Sequence, residues 1–311
     1  MDSIEQKIVD LLAINCRISP QDLSKRIGIS ANDAKRRYDT LIETDVIHEF
    51  KTLLSPLITN EELFIAVLDF NVVPSEKDIN KALSSNPSVW KVHRALEDNF
   101  VVFGFYFSQE ELSKLAFTLR SLPGVGYVEL HSNFSRHWGG KIALNDNDKM
   151  ILRCLMENTR MSVADIAKKT GLASTMIYDS IEMMRKSETV LFTINAADYM
   201  KQSKIEVLTK IQWNVRDTSQ EKVSEWLKES FSSVYLREFV SVTEPTIFFN
   251  FIVNHVQDVE LVRSKAINSG LISRIAPLIL FPGTVFPDPR VKKLDEFLTE
   301  TGFHLENNLL S

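Results

Sequence analysis

The chain repeats itself. The stretch NCRISPQDLSKRIGIS, from Asn15 to Ser30, returns as NTRMSVADIAKKTGLA, from Asn158 to Ala173, aligned without a gap at an offset of 143 residues. The identities are Asn15/Asn158, Arg17/Arg160, Ser19/Ser162, Asp22/Asp165, Lys25/Lys168 and Gly28/Gly171. Apolar positions agree at Ile8/Ile151, Leu12/Leu155, Leu23/Ile166 and Ile47/Val190. A period this long is not a solenoid unit, which runs to roughly 20–50 residues. It is the length of a domain pair, so the 311 residues read as a tandem duplication.

Composition narrows the classes. At 44% hydrophobic and 25% charged, the chain can bury ordinary globular cores. A net charge of −5 gives no global attraction to nucleic acid or anionic lipid, so any such affinity must be local. Cys16 and Cys154 form neither a metal-ligand spacing nor a disulfide framework, which makes a reducing compartment the default. The N-terminus MDSIEQKIVDLL is acidic where a secretory signal is basic. No apolar run approaches the ~18–20 residues that span a bilayer. The expectation is a cytoplasmic chain with no membrane partner.

Each half divides again. Helix 3–14 carries Ile4, Ile8, Leu11 and Leu12 on one stripe. Ser19-Pro20 offers a capping hydroxyl followed by proline at the first helical position, and the short helix that follows stops near Gly28. Ser30 can cap a third helix in which Ala34, Tyr38 and Leu41 make the buried stripe. An extended stretch, VIHEF from Val46, follows. Three helices and a strand joined this way make a winged helix-turn-helix. Beyond it, strands are expected at 63–70, 89–97, 100–107 and 125–134, with helices at 75–85 and 109–121. That order is β-α-β-β-α-β, the ferredoxin-like motif. The second half repeats it with strands at 205–215, 234–242, 247–254 and 271–280 and helices at 220–231 and 258–268. An amphipathic helix with Val291, Leu294, Phe297 and Leu298 on one side ends the pattern and is expected to cap the second sheet or to join chains. The predicted class is α+β, two winged helix-turn-helix domains (1–55 and 141–198) alternating with two ferredoxin-like domains (56–140 and 199–311).

This plan resembles the leucine-responsive regulatory protein (Lrp/AsnC) family of prokaryotic transcription factors. The residues that carry the resemblance are Asn15-x-Arg17-x-Ser19, Asp22-Leu23, Gly28-x-Ser30, Arg37, Leu41, Val46-Ile47 and Leu122-Pro123-Gly124. In the second half they are Asn158-x-Arg160-x-Ser162, Asp165-Ile166-Ala167 and Gly171-Leu172. The family normally has one such unit per chain, so the resemblance implies a covalent pseudo-dimer. It implies double-stranded DNA as partner, no cofactor, no catalysis, and association into a homodimer.

In such a fold the third helix enters the major groove. With Ala34, Tyr38 and Leu41 buried, Asn32, Lys35 and Arg36 point outward. Arg36 can fork onto guanine and Asn32 onto adenine, while Ser30 and Lys35 suit phosphate. Arg37 matches a position that is characteristically arginine in the family and is expected to sit at the DNA face or to support it. The third helix of the second half replaces Lys35, Arg36 and Arg37 by Tyr178, Asp179 and Ser180. A carboxylate facing phosphate opposes binding, so the halves are expected to be unequal and two chains to read two half-sites.

By the same resemblance the sheet domains bind amino acids or other small effectors. The loop that matches the family's effector loop holds Glu97, Asp98 and Asn99, but neither half has the family's glycine there. Without it a positive φ is not expected, and the three residues read as a polar hairpin tip as well as the implied effector site.

Two further readings remain. Siroheme decarboxylases share the double-domain plan, and His93-Arg94 aligns with the histidine and arginine those enzymes use, with His93 otherwise a half-exposed strand residue. Their aromatic, proline-rich segment is absent here; ALEDNFVVFGF stands in its place. The alternative is an assembly protein whose helix-turn-helices are vestigial. HSNFSRHWGG, with His131, Arg136, His137 and Trp138, reads as an inter-domain linker, with a metal or anion site as the less favoured reading. No residue is assigned to a metal.

Overall fold

A computed structural model describes residues 2–134, 139–196 and 204–300. In chain order the elements are α1 (Ser3–Ile14), α2 (Pro20–Ile27), α3 (Ala31–Glu43), β1 (Ile47–Leu54), α4 (Pro56–Thr59) and β2 (Glu62–Phe70). Then come α5 (Glu76–Leu83), β3 (Val89–Arg94), β4 (Phe100–Tyr106), α6 (Gln109–Arg120) and β5 (Val125–Phe134). The second half has α7 (Asp146–Glu157), α8 (Val163–Thr170), α9 (Ser174–Lys186), β6 (Val190–Ala196), β7 (Ile205–Trp213) and α10 (Gln220–Ser230). It ends with β8 (Tyr235–Ser241), β9 (Thr246–Val253), α11 (Val256–Ile267), β10 (Ile272–Leu280), β11 (Thr284–Val285) and α12 (Pro289–Glu300). The helices α1, α2 and α3 recur as α7, α8 and α9 at the same offset of 143 residues. These elements sort into two compact units, one holding the helix-turn-helices and nearly all of α12, the other the ferredoxin-like sheets.

In the helical unit, local chemistry sets the boundaries. Asp2 caps α1 in a reciprocal box with Glu5, and Asn145 does the same for α7 with Asp148. Ser19 and Ser162 cap α2 and α8, and Gly28 and Gly171 end those helices at φ of 81° and 73°, which a side chain would disfavour. Ala34, Tyr38 and Leu41 pack with Ile8, Leu12 and Leu23 to form the first core. Each leucine or isoleucine there contributes roughly 1.5–3 kcal/mol when fully buried.

The strand after each third helix does not fold back as a wing of its own. β1 pairs antiparallel with β6, placing Phe50 opposite Ile194 and Lys51 opposite Thr193. The offset that relates the two halves exchanges these two pairs, so the ribbon has its own pseudo-two-fold centre. The terminal helix corrects an expectation. α12 covers the second helical domain, with Leu294 and Leu298 fully buried among Ile151, Leu152 and Leu155, and Arg153 pairs with Asp295 at 2.8 Å. It does not cap the second sheet. A side chain finds whichever apolar stripe lies in reach, and the helical period of α12 does not say which.

In the sheet unit the order is β10-β7-β9-β8-β5-β2-β4-β3-β11. Two four-stranded ferredoxin-like sheets meet at β5 and β8, where Asn133 faces Ser241 and Phe134 faces Val240. At the other edge β11 pairs with β3, and Ala95 bridges to Leu280. Alternation on β2 sends Phe64, Ala66 and Leu68 toward the helices α5 and α6. It sends Leu63 and Ile65 the other way, against Phe103, Leu208 and Phe248, so the two sheets pack face to face. Both faces are buried, which is why ELFIAVLDF reads as a nearly continuous apolar run.

Candidate nucleic-acid interface and sheet cavity

The first recognition helix is built by its cap and its stripe. Ser30 Oγ accepts the Asp33 backbone N–H at 3.1 Å and fixes the helix start. The helix N-terminus carries partial positive charge and suits a phosphate. Asn32, Lys35 and Arg36 lie on the exposed side, away from Ala34, Tyr38 and Leu41. Lys35 pairs with Asp39 at 2.6 Å and Arg36 with Asp33. These are exposed pairs one helical turn apart, worth only about 0.3–0.5 kcal/mol, so a phosphate can displace the carboxylates.

Arg37 stands apart. Its side chain is 17% exposed against 68% for Arg36. The guanidinium turns back to Asp2, to Asp33 at 3.1 Å and to Glu5 at 3.5 Å, and so ties α3 to the start of α1. Its donors are committed inside the protein, which makes it a support for the recognition helix and not a free base reader. Backbone bonds to Glu5, joined by the Arg37 contact, hold the Asp2 carboxyl below its ordinary range. Contacts from Arg36 and then Arg37 do the same for Asp33.

The second recognition helix has another surface. Tyr178 and Met176 are exposed there, and Asp179 stands where Arg36 does. Ser180, in the place of Arg37, is buried and donates to Asp148, which stands in the place of Glu5. The duplication thus kept a strap between first and third helices and exchanged an ion pair for a hydroxyl–carboxylate bond.

The loop after β3 overturns the expectation drawn from its missing glycine. Glu97 and Asp98 both take left-handed backbone, at φ of 70° and 63°. Arg94 holds the Asp98 carboxylate. Left-handed backbone at a residue with a Cβ costs roughly 1–2 kcal/mol, so the tip is strained and held by its surroundings. From this loop Asn99 reaches the lining of a cavity of about 420 Å³ between the faces of the two sheets. Its polar lining also includes Asp69, Glu129, Lys210, Gln212 and Arg274. Lys210 contacts Glu129, and burial pushes the lysine below its ordinary range. Oppositely charged pairs beside apolar Val67, Phe248 and Leu278 make a site able to hold a small zwitterion.

The histidines are also corrected. His93 is 2% exposed, not half-exposed. Its Nδ1 is 2.9 Å from the Phe281 carbonyl oxygen, its ring stacks edge-on against Phe103, and Gly283 lies close over it. Pairing of β11 with β3 closes it in. His131 is a fully buried strand residue of β5 rather than linker. Arg136, His137 and Trp138 lie outside the described residues. Lys210 and Arg274 were missed from sequence because each is a single cation on a strand, and only sheet packing brings them together.

Comparison with known proteins agrees with this architecture. Residues 1–42 match the AsnC-type helix-turn-helix domain, and residues 144–190 match a winged helix-turn-helix DNA-binding domain. A leucine-responsive regulatory protein of Haemophilus influenzae is 28% identical over 131 residues, which are 40% of this chain and 78% of that one. The chain is similar to the Lrp/AsnC family in its first helix-turn-helix and in this relative. Its plan is a tandem one, since both winged helices and both sheets lie on one polypeptide. The crystal structure of the siroheme decarboxylase NirDL matches with a TM-score of 0.59 at 12% identity, covering 97% of this chain and all of the other. The same decarboxylase in co-complex with an iron-uroporphyrin III analogue matches at 0.60 and 11%, covering 96% and 98%. At that identity the likeness is one of fold. No helix among the described residues is long and apolar enough to cross a membrane.

Proposed function

We propose that this chain is a transcriptional regulator whose first winged helix reads the major groove of double-stranded DNA. The observation that carries the reading is the exposed row Asn32, Lys35 and Arg36 on the outer face of α3, set against Thr175, Tyr178 and Asp179 at the same places on α9. Arg36 forks onto a guanine edge, Asn32 onto adenine, and Ser30 and Lys35 hold phosphate. One reader per chain makes a homodimer the unit that engages two half-sites. The sheet unit mediates association and senses a small molecule. Its cavity suits an amino acid, with the carboxylate toward Lys210 and Arg274 and the ammonium toward Asp69 and Glu129. The protein works in the cytoplasm.

A decarboxylase reading shares the fold but has no open histidine at His93, whose ring faces the Phe281 backbone. The test is fluorescence-anisotropy titration of promoter fragments at two salt concentrations, with wild type, Lys35→Ala and Arg36→Ala. Saturable binding that weakens with salt is expected. Lys35→Ala lowers the salt slope by about one unit across all sequences, and Arg36→Ala relaxes preference at one base pair. Binding indifferent to both changes overturns the assignment. Absence of binding, together with tight porphyrin uptake, would support the enzyme; absence of both would support an assembly role.

A further inference from the structure

Glu129, His131 and Glu244 converge where the last strand of the first sheet meets the loop after β8. One ligating atom from each lies within 4.8 Å of the others. His131 is buried, and its Nε2 faces Glu129 Oε1 at 3.0 Å. Its Nδ1 is 3.0 Å from Ser241 Oγ. Glu129 also lines the sheet cavity. We propose that these three side chains form a divalent transition-metal site in the wall of that cavity.

The donor set selects the ion. One imidazole and two carboxylates suit zinc or manganese, whereas magnesium and calcium prefer oxygen alone. A zinc ion ~2.1 Å from each ligand places its ligands about 3.4 Å apart. The His131–Glu129 separation is near this, and Glu244, exposed on its loop, supplies the remaining movement. Ser241 completes the arrangement. Metal at Nε2 requires the proton on Nδ1, and the Ser241 hydroxyl oxygen is placed to accept it, fixing ring and tautomer.

Positive charge already gathers here, since the Lys210 ammonium rests on Glu129. A divalent ion competes with it for that oxygen. The ion neutralises both carboxylates and frees Lys210 to face the cavity beside Arg274. Three protein ligands leave a fourth position open to water or to an anionic group in the cavity. The proposal does not depend on the DNA-binding reading, and its test uses no DNA.

The experiment is titration of the untagged full chain with Co²⁺, read by visible absorption, and with Zn²⁺ in competition with a chromophoric chelator. One ion per chain is expected, with the d–d bands of a four- or five-coordinate nitrogen–oxygen site. Glu244→Gln, an exposed change that leaves the fold alone, should weaken binding by at least about tenfold, and Ser241→Ala by about 10- to 100-fold. His131→Gln should abolish it. No binding, or stoichiometric binding unaltered by Glu244→Gln, overturns the proposal.

Discussion

Arg17 and Arg160 occupy the same place in the two halves, and each binds the backbone of the other half. Arg17 donates to the Thr159 carbonyl oxygen and, at 2.9 Å, to that of Met161. Arg160 donates to the Cys16 carbonyl oxygen. Arg160 also lies over Tyr38 at 4.8 Å and Phe50 at 5.3 Å, and Arg17 over Phe192 at 5.8 Å. The arginine of the shared Asn-x-Arg-x-Ser motif is thus a clasp between the helix-turn-helices. Burial lowers the Arg17 proton affinity and pushes the neighbouring Cys16 thiol up to about 12.

Because a hydrogen bond from a charged group contributes about 1.5–3 kcal/mol, Arg17→Ala should lower unfolding free energy by roughly 2–3 kcal/mol. Arg17→Lys should recover little of it, since an ammonium cannot fork onto two carbonyls. Urea denaturation followed by near-ultraviolet circular dichroism measures both. Equal stability of wild type and Arg17→Ala would remove the clasp.

The Arg37 strap predicts a pH dependence. The folded state holds the Asp2 and Asp33 carboxyls below their ordinary range, with Arg37 among the causes for each. Such groups add stability that is present above the unfolded carboxylate value of about 3.9 and is lost as pH falls through the lower folded value. The difference in Tm between wild type and Arg37→Ala should therefore be full at pH 6 and shrink below about pH 4. A difference that grows on acidification would contradict the geometry.

Glu97 is a second point of leverage. Replacing it with glycine removes the left-handed penalty while adding freedom to the unfolded chain, a cost of ~0.4–1 kcal/mol. The net expectation is a gain of about 0.5–1 kcal/mol for Glu97→Gly, read as a higher midpoint in urea. A loss would mean that the Glu97 side chain holds the tip.

The C-terminal helix gives a test of packing. Leu294→Ala should cost roughly 2–5 kcal/mol, because it opens a cavity in the core of the second helix-turn-helix. The effect should appear as lost amide protection in α7. Lost protection in β10 with α7 unchanged would return α12 to the second sheet.

Local signals carried far in this chain. Ser30, Ser19 and Gly28 mark helix ends because a cap acts over three residues, and the stripe Ala34, Tyr38 and Leu41 follows from helical period alone. The duplication was legible because the motif Asn-x-Arg-x-Ser is short and gapless. These sufficed for both domain types, the tandem plan and the outward row Asn32, Lys35 and Arg36. Tertiary structure decided what depends on segments far apart in sequence. Arg37 reaches Asp2, 35 positions away, and His93 meets the Phe281 carbonyl 188 positions away. His131 finds Ser241 across 110, and α12 finds the core of α7 instead of a sheet. Periodicity says that a face is apolar or a side chain polar. Which partner satisfies it is settled by register and chain crossing, and these are properties of the assembled fold.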